Sequence, residues 1–158
     1  MSGSLEMQSS SDLVQFTLGG TDYFCATVDV DSMIDEVDQS IFIPGSINWL
    51  SGAVRVENRM IPLLDLSLLF GGKPVSKLGC AAMVVHHAAI GDMALAVSTI
   101  GGMVGAHSLE MPDDLVMQSP PPILQPITVV TTKYKNTFIP LVDFQRIDVQ
   151  TLKLIGLN

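Results

Sequence analysis

The sequence has little charge and few cysteines, and each shortage narrows the possible functions. Only 15 % of the 158 residues are charged, and sixteen acidic residues against eight basic ones give a formal net charge of −8. A chain with so few cations offers no basic surface to a phosphate backbone, so nucleic acid is not expected as a partner. The two cysteines, Cys25 and Cys80, stand among apolar neighbours, and we expect buried thiols rather than a disulfide.

Long apolar runs are missing as well. The longest nearly apolar run, residues 80–85, is far shorter than the ~20 residues that a membrane-spanning helix needs. Residues 1–11 are polar and lack the basic and apolar regions of a secretory signal. We therefore expect a cytoplasmic protein without membrane insertion, in which residues 1–11 form a flexible tail.

Local motifs for metal binding and catalysis are also absent. The acidic stretch that begins at Asp29 has Ile34 and Ser40 where a calcium-binding EF-hand loop needs glycine and glutamate. Adjacent His86 and His87 would point to opposite faces of a strand, so we expect one at the surface and the other buried and hydrogen-bonded. No phosphate-binding loop or nucleophile elbow occurs. We expect no catalytic residue, no metal and no cofactor, although an active site assembled from distant residues stays open.

What the sequence does contain is a succession of short strand patterns. Val14, Phe16 and Leu18 alternate with polar residues, which is the period of a strand. Turns rich in Gly, Pro and Asp separate the predicted strands, which cover residues 14–18, 23–28, 49–56, 60–64, 81–85, 93–97, 127–132 and 137–142. The glycine-rich residues 101–105 are interpreted as a turn or bulge, and short helices are predicted over residues 47–50, 66–70 and 144–155. This pattern is typical of small barrels or a sandwich.

An internal repeat is the most informative feature of the sequence. Residues 61–66, IPLLDL, recur at residues 139–144 as IPLVDF, and a bulky apolar residue precedes each copy. A weaker echo links residues 22–26 to residues 92–96. The repeat predicts two homologous half-domains. Each proline lacks a backbone donor and should lie at an edge, a bulge or a strand start, and each aspartate should cap the short helix that follows it.

The order and spacing of these motifs resemble those of the CheW-like family. The resemblance covers about residues 13–147, and it is carried by FTLG at residues 16–19, Tyr23, Val28, Val30, WLSGAV at residues 49–54, residues 61–71, residues 93–103 and residues 138–143. It implies a mostly β fold of two five-stranded SH3-like β-barrels packed on a shared hydrophobic core, with short helices. Residues 12–148 would then form one CheW-like domain of two β-barrel subdomains, and residues 149–158 a C-terminal extension.

The resemblance also implies a non-enzymatic adaptor. Members of the family bind the signalling tip of chemoreceptors and the regulatory domain of a CheA-type histidine kinase, and they build arrays through both contacts. One alternative is a divergent CheW-like scaffold for type IV pilus motility or array positioning, or a domain of a larger protein. A small-molecule-binding or catalytic β-barrel is a third possibility, and the oligomeric state is left open.

Carried over residue by residue, the family's partner-binding surface includes Val30 and Gly52, for which a purely structural role is the alternative. After this glycine and an apolar pair the family usually has Asn-Leu-Arg-Gly, whereas this chain has Arg55, Val56, Glu57 and Asn58. Glu57 thus replaces the family's arginine, and a receptor carboxylate should be repelled here. The repulsion would be avoided if the partner has changed or if Arg55 compensates, because both side chains would share a strand face and could form a weak ion pair.

Overall fold

Strands dominate the structure, a computed structural model that describes residues 12–37, 40–41, 49–75, 79–110 and 121–148. The strands in these residues are β1 (Asp12–Leu18), β2 (Thr21–Ala26), β3 (Ser32–Ile34), β4 (Ser40–Ile41), β5 (Leu50–Val56), β6 (Arg59–Asp65), β7 (Ala81–His87), β8 (Gly91–Val97), β9 (Thr99–Gly105), β10 (Thr128–Tyr134) and β11 (Thr137–Val142). The helical elements described are α1 (Leu66–Leu69) and 3₁₀ turns at Thr27–Asp29, Ala106–Ser108, Gln125–Ile127 and Phe144–Arg146. None of them is long and apolar enough to cross a membrane.

The strands form two sheets, and each sheet takes strands from both halves of the chain. Sheet A has the order β10-β11-β2-β1-β9, and sheet B the order β3-β7-β8-β6-β5-β4. Strand β11 pairs in parallel with β2, as β6 does with β8, while β9 crosses to β1 and β3 crosses to β7. Read from its other end, sheet B repeats the order of sheet A: β5, β6, β8, β7 and β3 take the places of β10, β11, β2, β1 and β9. Sheet B carries the two-residue β4 as a sixth strand. The predicted mostly β fold is confirmed, and its two sheets are consistent with the two SH3-like β-barrels that the family resemblance implies.

The two copies of the sequence repeat occupy equivalent positions in these sheets. Residues 61–66 run from β6 into α1, and residues 139–144 run from β11 into a 3₁₀ turn. Pro62 and Pro140 each lie one residue before the parallel pairing of their strand begins. The missing backbone donor therefore falls where the strand has a partner on one side only, as proline requires.

The apolar core is divided into one large cluster between the sheets and one small cluster belonging to each sheet. Strand β7 shows why: Met83 and Val85 enter the shared cluster, whereas Ala82 and Val84 enter the cluster of sheet B. Alternate side chains of a strand point to opposite faces, so each sheet fills its own interior with one face and packs on the other sheet with the second. The cluster of sheet A is built from Leu13, Phe24, Val104 and Ile139. This arrangement is the predicted shared hydrophobic core.

Several predicted elements differ from the structure. The helix predicted over residues 47–50 is wrong at Leu50, which opens β5, and residues 47–48 lie outside the described residues. The helix predicted over residues 144–155 is a single 3₁₀ turn at Phe144–Arg146 before Ile147, and its part beyond residue 148 is not described. Residues 101–105 are interpreted from the sequence as a turn or a bulge. They belong to β9 and pair with β1 through a register shift, so the bulge is confirmed and the turn is wrong. The predicted tail and C-terminal extension also lie outside the described residues.

Candidate functional site

The β5–β6 hairpin carries most of the predicted partner-binding residues at its exposed end. Val56 pairs with Arg59, so Glu57 and Asn58 form a two-residue turn, and both are exposed. Arg55, also exposed, lies directly opposite Met60, which is 45 % exposed. The end of the hairpin thus presents an apolar side chain surrounded by charges, a composition that suits a protein interface.

Gly52 is buried inside the same hairpin and has a backbone role. Its φ is +151°, and the register between β5 and β6 shifts between Leu50 and Gly52. Residues with a side chain rarely adopt this φ, and glycine is common at such bulges. The structure therefore gives Gly52 a structural function, and its role in partner binding stays a prediction.

Val30 lies elsewhere, in the segment that crosses from sheet A to sheet B. Its backbone N–H donates to the Thr27 carbonyl at 3.1 Å, and its half-buried side chain packs against the shared core. The neighbouring Val28, in contrast, is 64 % exposed. The five predicted residues are thus divided between this crossing segment and the β5–β6 hairpin.

The ion pair that Arg55 and Glu57 could form on a shared strand face is not found in the described residues. Strand β5 ends at Val56, and Glu57 turns away from the strand with a φ of +57°; no ion pair joins it to Arg55 in the part of the chain that the structure describes. The alternation rule on which the pairing rested holds only within a strand.

Arg59 forms an ion pair that sequence reasoning missed. Its guanidinium donates to Asp92, whose other oxygen lies 2.8 Å from Nδ1 of His86. These contacts, led by that with His86, lower the pKa of Asp92 below its ordinary value. Arg59 and Asp92 are 33 positions apart, so no local spacing reveals the pair, which ties the turn end of β6 to β8 at the surface.

The remaining reactive side chains are placed as the sequence predicts. Cys25 and Cys80 are free and buried, and desolvation, assisted by Asp29, raises the pKa of Cys25 to about 12. A thiol in this state is a poor nucleophile. His86 is exposed, whereas His87 is buried with Nε2 at 3.3 Å from the Ile147 carbonyl.

The described residues hold no candidate metal cluster, and the cavity beside the β1–β2 turn contains no pair of titratable groups. No group of three or more His, Cys, Asp or Glu could hold a metal ion there. One cavity of about 370 Å³ lies between the β1–β2 turn, residues 72–75 and residues 121–123, and Lys73 is its single charged lining residue. General acid–base chemistry needs paired titratable groups, and this cavity does not bring two together.

Two small antiparallel-rich sheets therefore pack against each other over one shared apolar core. The model of the CheW-like domain family matches residues 12–149, and the chain belongs to that family. Among solved structures, the scaffolding protein TtCheW from Thermoanaerobacter tengcongensis is similar, with a TM-score of 0.67 and 19 % identity over 87 % of this chain and 92 % of that one. No curated protein matches the sequence significantly.

Proposed function

We propose that the chain is a non-enzymatic, cytoplasmic signalling adaptor that links the signalling tip of chemoreceptors to the regulatory domain of a CheA-type histidine kinase. The observation that carries the proposal is the CheW-like match over residues 12–149. The similar TtCheW is a scaffolding protein, and an adaptor that works by contact alone needs no catalytic group. The exposed end of the β5–β6 hairpin and the crossing segment around Val30 are the surfaces that we assign to these partners.

The hairpin offers the ingredients of a transient interface. Met60 supplies exposed apolar area, while Arg55 and Glu57 at its rim fix the charge pattern that a partner must match. Charges at a rim act mainly on association rate and on specificity, and like charges brought into contact weaken binding. Glu57 therefore selects against a receptor that presents a carboxylate at this point.

The adaptor proposal is tested by pull-down with a purified kinase regulatory domain and a receptor signalling tip. Binding to both partners is expected. Binding to neither would sink the adaptor function, whereas binding to the kinase domain alone would contradict the receptor contact and retain the kinase contact.

The selectivity of the hairpin is tested by Glu57→Arg, which restores the charge that the family has here. Binding to a receptor tip that carries a carboxylate at the contact should become about tenfold stronger, because a repulsion is replaced by an attraction. Isothermal titration calorimetry measures the affinity, and Glu110→Arg, the same charge change at an exposed position outside this hairpin, serves as the control. Unchanged or weaker binding of Glu57→Arg would show that this face is not used as in the family.

A further inference from the structure

The β10–β11 hairpin of sheet A has the same construction as the β5–β6 hairpin. Lys133 lies opposite Phe138, as Arg55 lies opposite Met60. Tyr134 pairs with Thr137, which leaves a two-residue turn at residues 135–136. The internal repeat has therefore produced a second hairpin with a cation facing an apolar side chain.

The second hairpin exposes two apolar residues along with the polar Lys135, Asn136 and Thr137. Phe138 is 43 % exposed and Val129 is 48 % exposed. Lys135 places its Nζ 5.2 Å from the ring centroid of Tyr134, which holds this cation at the turn end of the hairpin. Exposed apolar groups bordered by charge are typical of docking surfaces.

The charge of the second hairpin is opposite to that of the whole chain. Residues 128–142 contain Lys133 and Lys135 and no acidic residue, whereas the chain carries −8. The acidic residue paired with this hairpin is Glu110, whose backbone bridges that of Lys133, so the two lysines leave a local excess of positive charge. Neither lysine takes part in an ion pair with any described residue. In the β5–β6 hairpin, by contrast, the turn carries Glu57, and Arg59 is neutralised by Asp92.

We propose that the β10–β11 hairpin is a second docking surface, which takes an acidic protein segment with an apolar side chain that packs on Phe138. Lys133 and Lys135 attract the acidic groups and set their position, because a local positive patch concentrates anionic partners. Burial of Phe138 supplies the apolar part of the binding free energy. This surface is separate from the β5–β6 hairpin and requires neither a receptor nor a kinase.

The experiment is a titration of the ¹⁵N-labelled full chain with a synthetic peptide of alternating Glu and Leu. Two matched peptides carry Gln in place of Glu, or Ser in place of Leu. We expect chemical-shift changes centred on residues 129–138 with the first peptide and binding about fivefold weaker with either matched peptide, the effect of losing one side of a mixed charged and apolar contact.

Variants locate the site. Lys135→Glu should weaken binding of the Glu-Leu peptide about fivefold, and Phe138→Ser should weaken it while leaving the net charge unchanged. Lys73→Glu, the same charge change at an exposed lysine in the segment before β7, should bind as the unaltered chain does. The dispersion of each spectrum shows whether the variant is folded.

Three outcomes would overturn the proposal. The first is the absence of shifts at residues 129–138 at millimolar peptide. The second is an equal loss in Lys135→Glu and Lys73→Glu, which would reduce the effect to net charge. The third is a concentration-dependent dimer, measured by analytical ultracentrifugation, that Lys135→Glu abolishes, because the surface would then belong to a second copy of the chain.

Discussion

Asp65 and Asp143 stand at the same position of the two repeat copies but carry unequal numbers of hydrogen bonds. Asp65 is 3 % exposed; its Oδ1 accepts the N–H of Leu68 at 3.0 Å and its Oδ2 accepts the N–H of Val75 at 2.9 Å. Asp143 is half-buried, and its Oδ1 accepts the N–H of Gln145 at 2.9 Å. Both residues are helix caps as the sequence predicts, and Asp65 also fastens the segment that follows α1.

Alanine at the two positions should therefore have different effects on stability. We expect Asp65→Ala to lower the free energy of unfolding by about 3 kcal/mol and Asp143→Ala by about 1 kcal/mol, because the first leaves two amides without their charged acceptor and the second removes one cap. Urea unfolding followed by circular dichroism measures both. Asp65→Asn, which keeps one acceptor oxygen, should fall between the unaltered chain and Asp65→Ala; equal losses at the two alanine variants would show that the Val75 bond contributes nothing.

The sequence predicts side-chain roles only where the partners are neighbours in the chain. A cap joins residues two or three positions apart, so the aspartates of the repeat suffice to predict it. The bond from Val75 to Asp65 spans 10 positions, and the pair of Arg59 with Asp92 spans 33. Such contacts depend on sheet pairing, which no local pattern contains.

At the scale of elements, the turns of the β5–β6 and β10–β11 hairpins each hold a residue in an unfavourable backbone conformation. Glu57 has a φ of +57° and Lys135 a φ of +48°, a region that costs residues with a side chain about 1–2 kcal/mol. Two-residue hairpin turns adopt it because its twist matches that of the strands, and Gly or Asn usually occupies it. Asn58, the second residue of the first turn, is not among the residues with positive φ.

Glycine at the strained positions should therefore stabilise the chain. Glu57→Gly and Lys135→Gly should each raise the free energy of unfolding by up to about 1 kcal/mol, because relief of the strain exceeds the extra entropy of the unfolded chain. Asn58→Gly is the control and should be neutral or destabilising, since no strain is relieved there. Thermal unfolding by calorimetry separates these results, and a gain at Asn58 equal to that at Glu57 would contradict the assignment to φ.

The strands that the sequence predicts carry either an alternating pattern, as β1 does, or a short continuous apolar run, as β7 and β8 do. Strand β3 has three residues inside an acidic stretch, and β9 carries three glycines, so neither shows a strand pattern long enough to recognise. Both are the crossing strands, and their partners rather than their propensities place them in the sheets.

On the scale of the whole molecule, the repeat predicts two related halves but not the exchange between them. Sheet A joins β1 and β2 to β9, β10 and β11, so it cannot form from either half alone. The parallel pairing sets Cys25 against Val142, far apart in the sequence. Repeated motifs reveal that two units exist but not which strands pair, and the large apolar cluster is filled by residues of both halves.

Division of the chain between the halves should therefore abolish folding of each part. Residues 1–77 would keep the β1–β2 and β5–β6 hairpins without their parallel partners, and residues 78–158 would keep β7–β8 and β10–β11 in the same condition. Isolated hairpins are at best marginally stable in water, and each fragment would expose its share of the shared core.

We expect a poorly dispersed ¹⁵N spectrum for each fragment alone and a dispersed spectrum with cooperative unfolding after the two are mixed. A fragment that folds cooperatively alone would show that its hairpins are stable without the exchange, and failure of the mixture to fold would show that the covalent link between the halves is required.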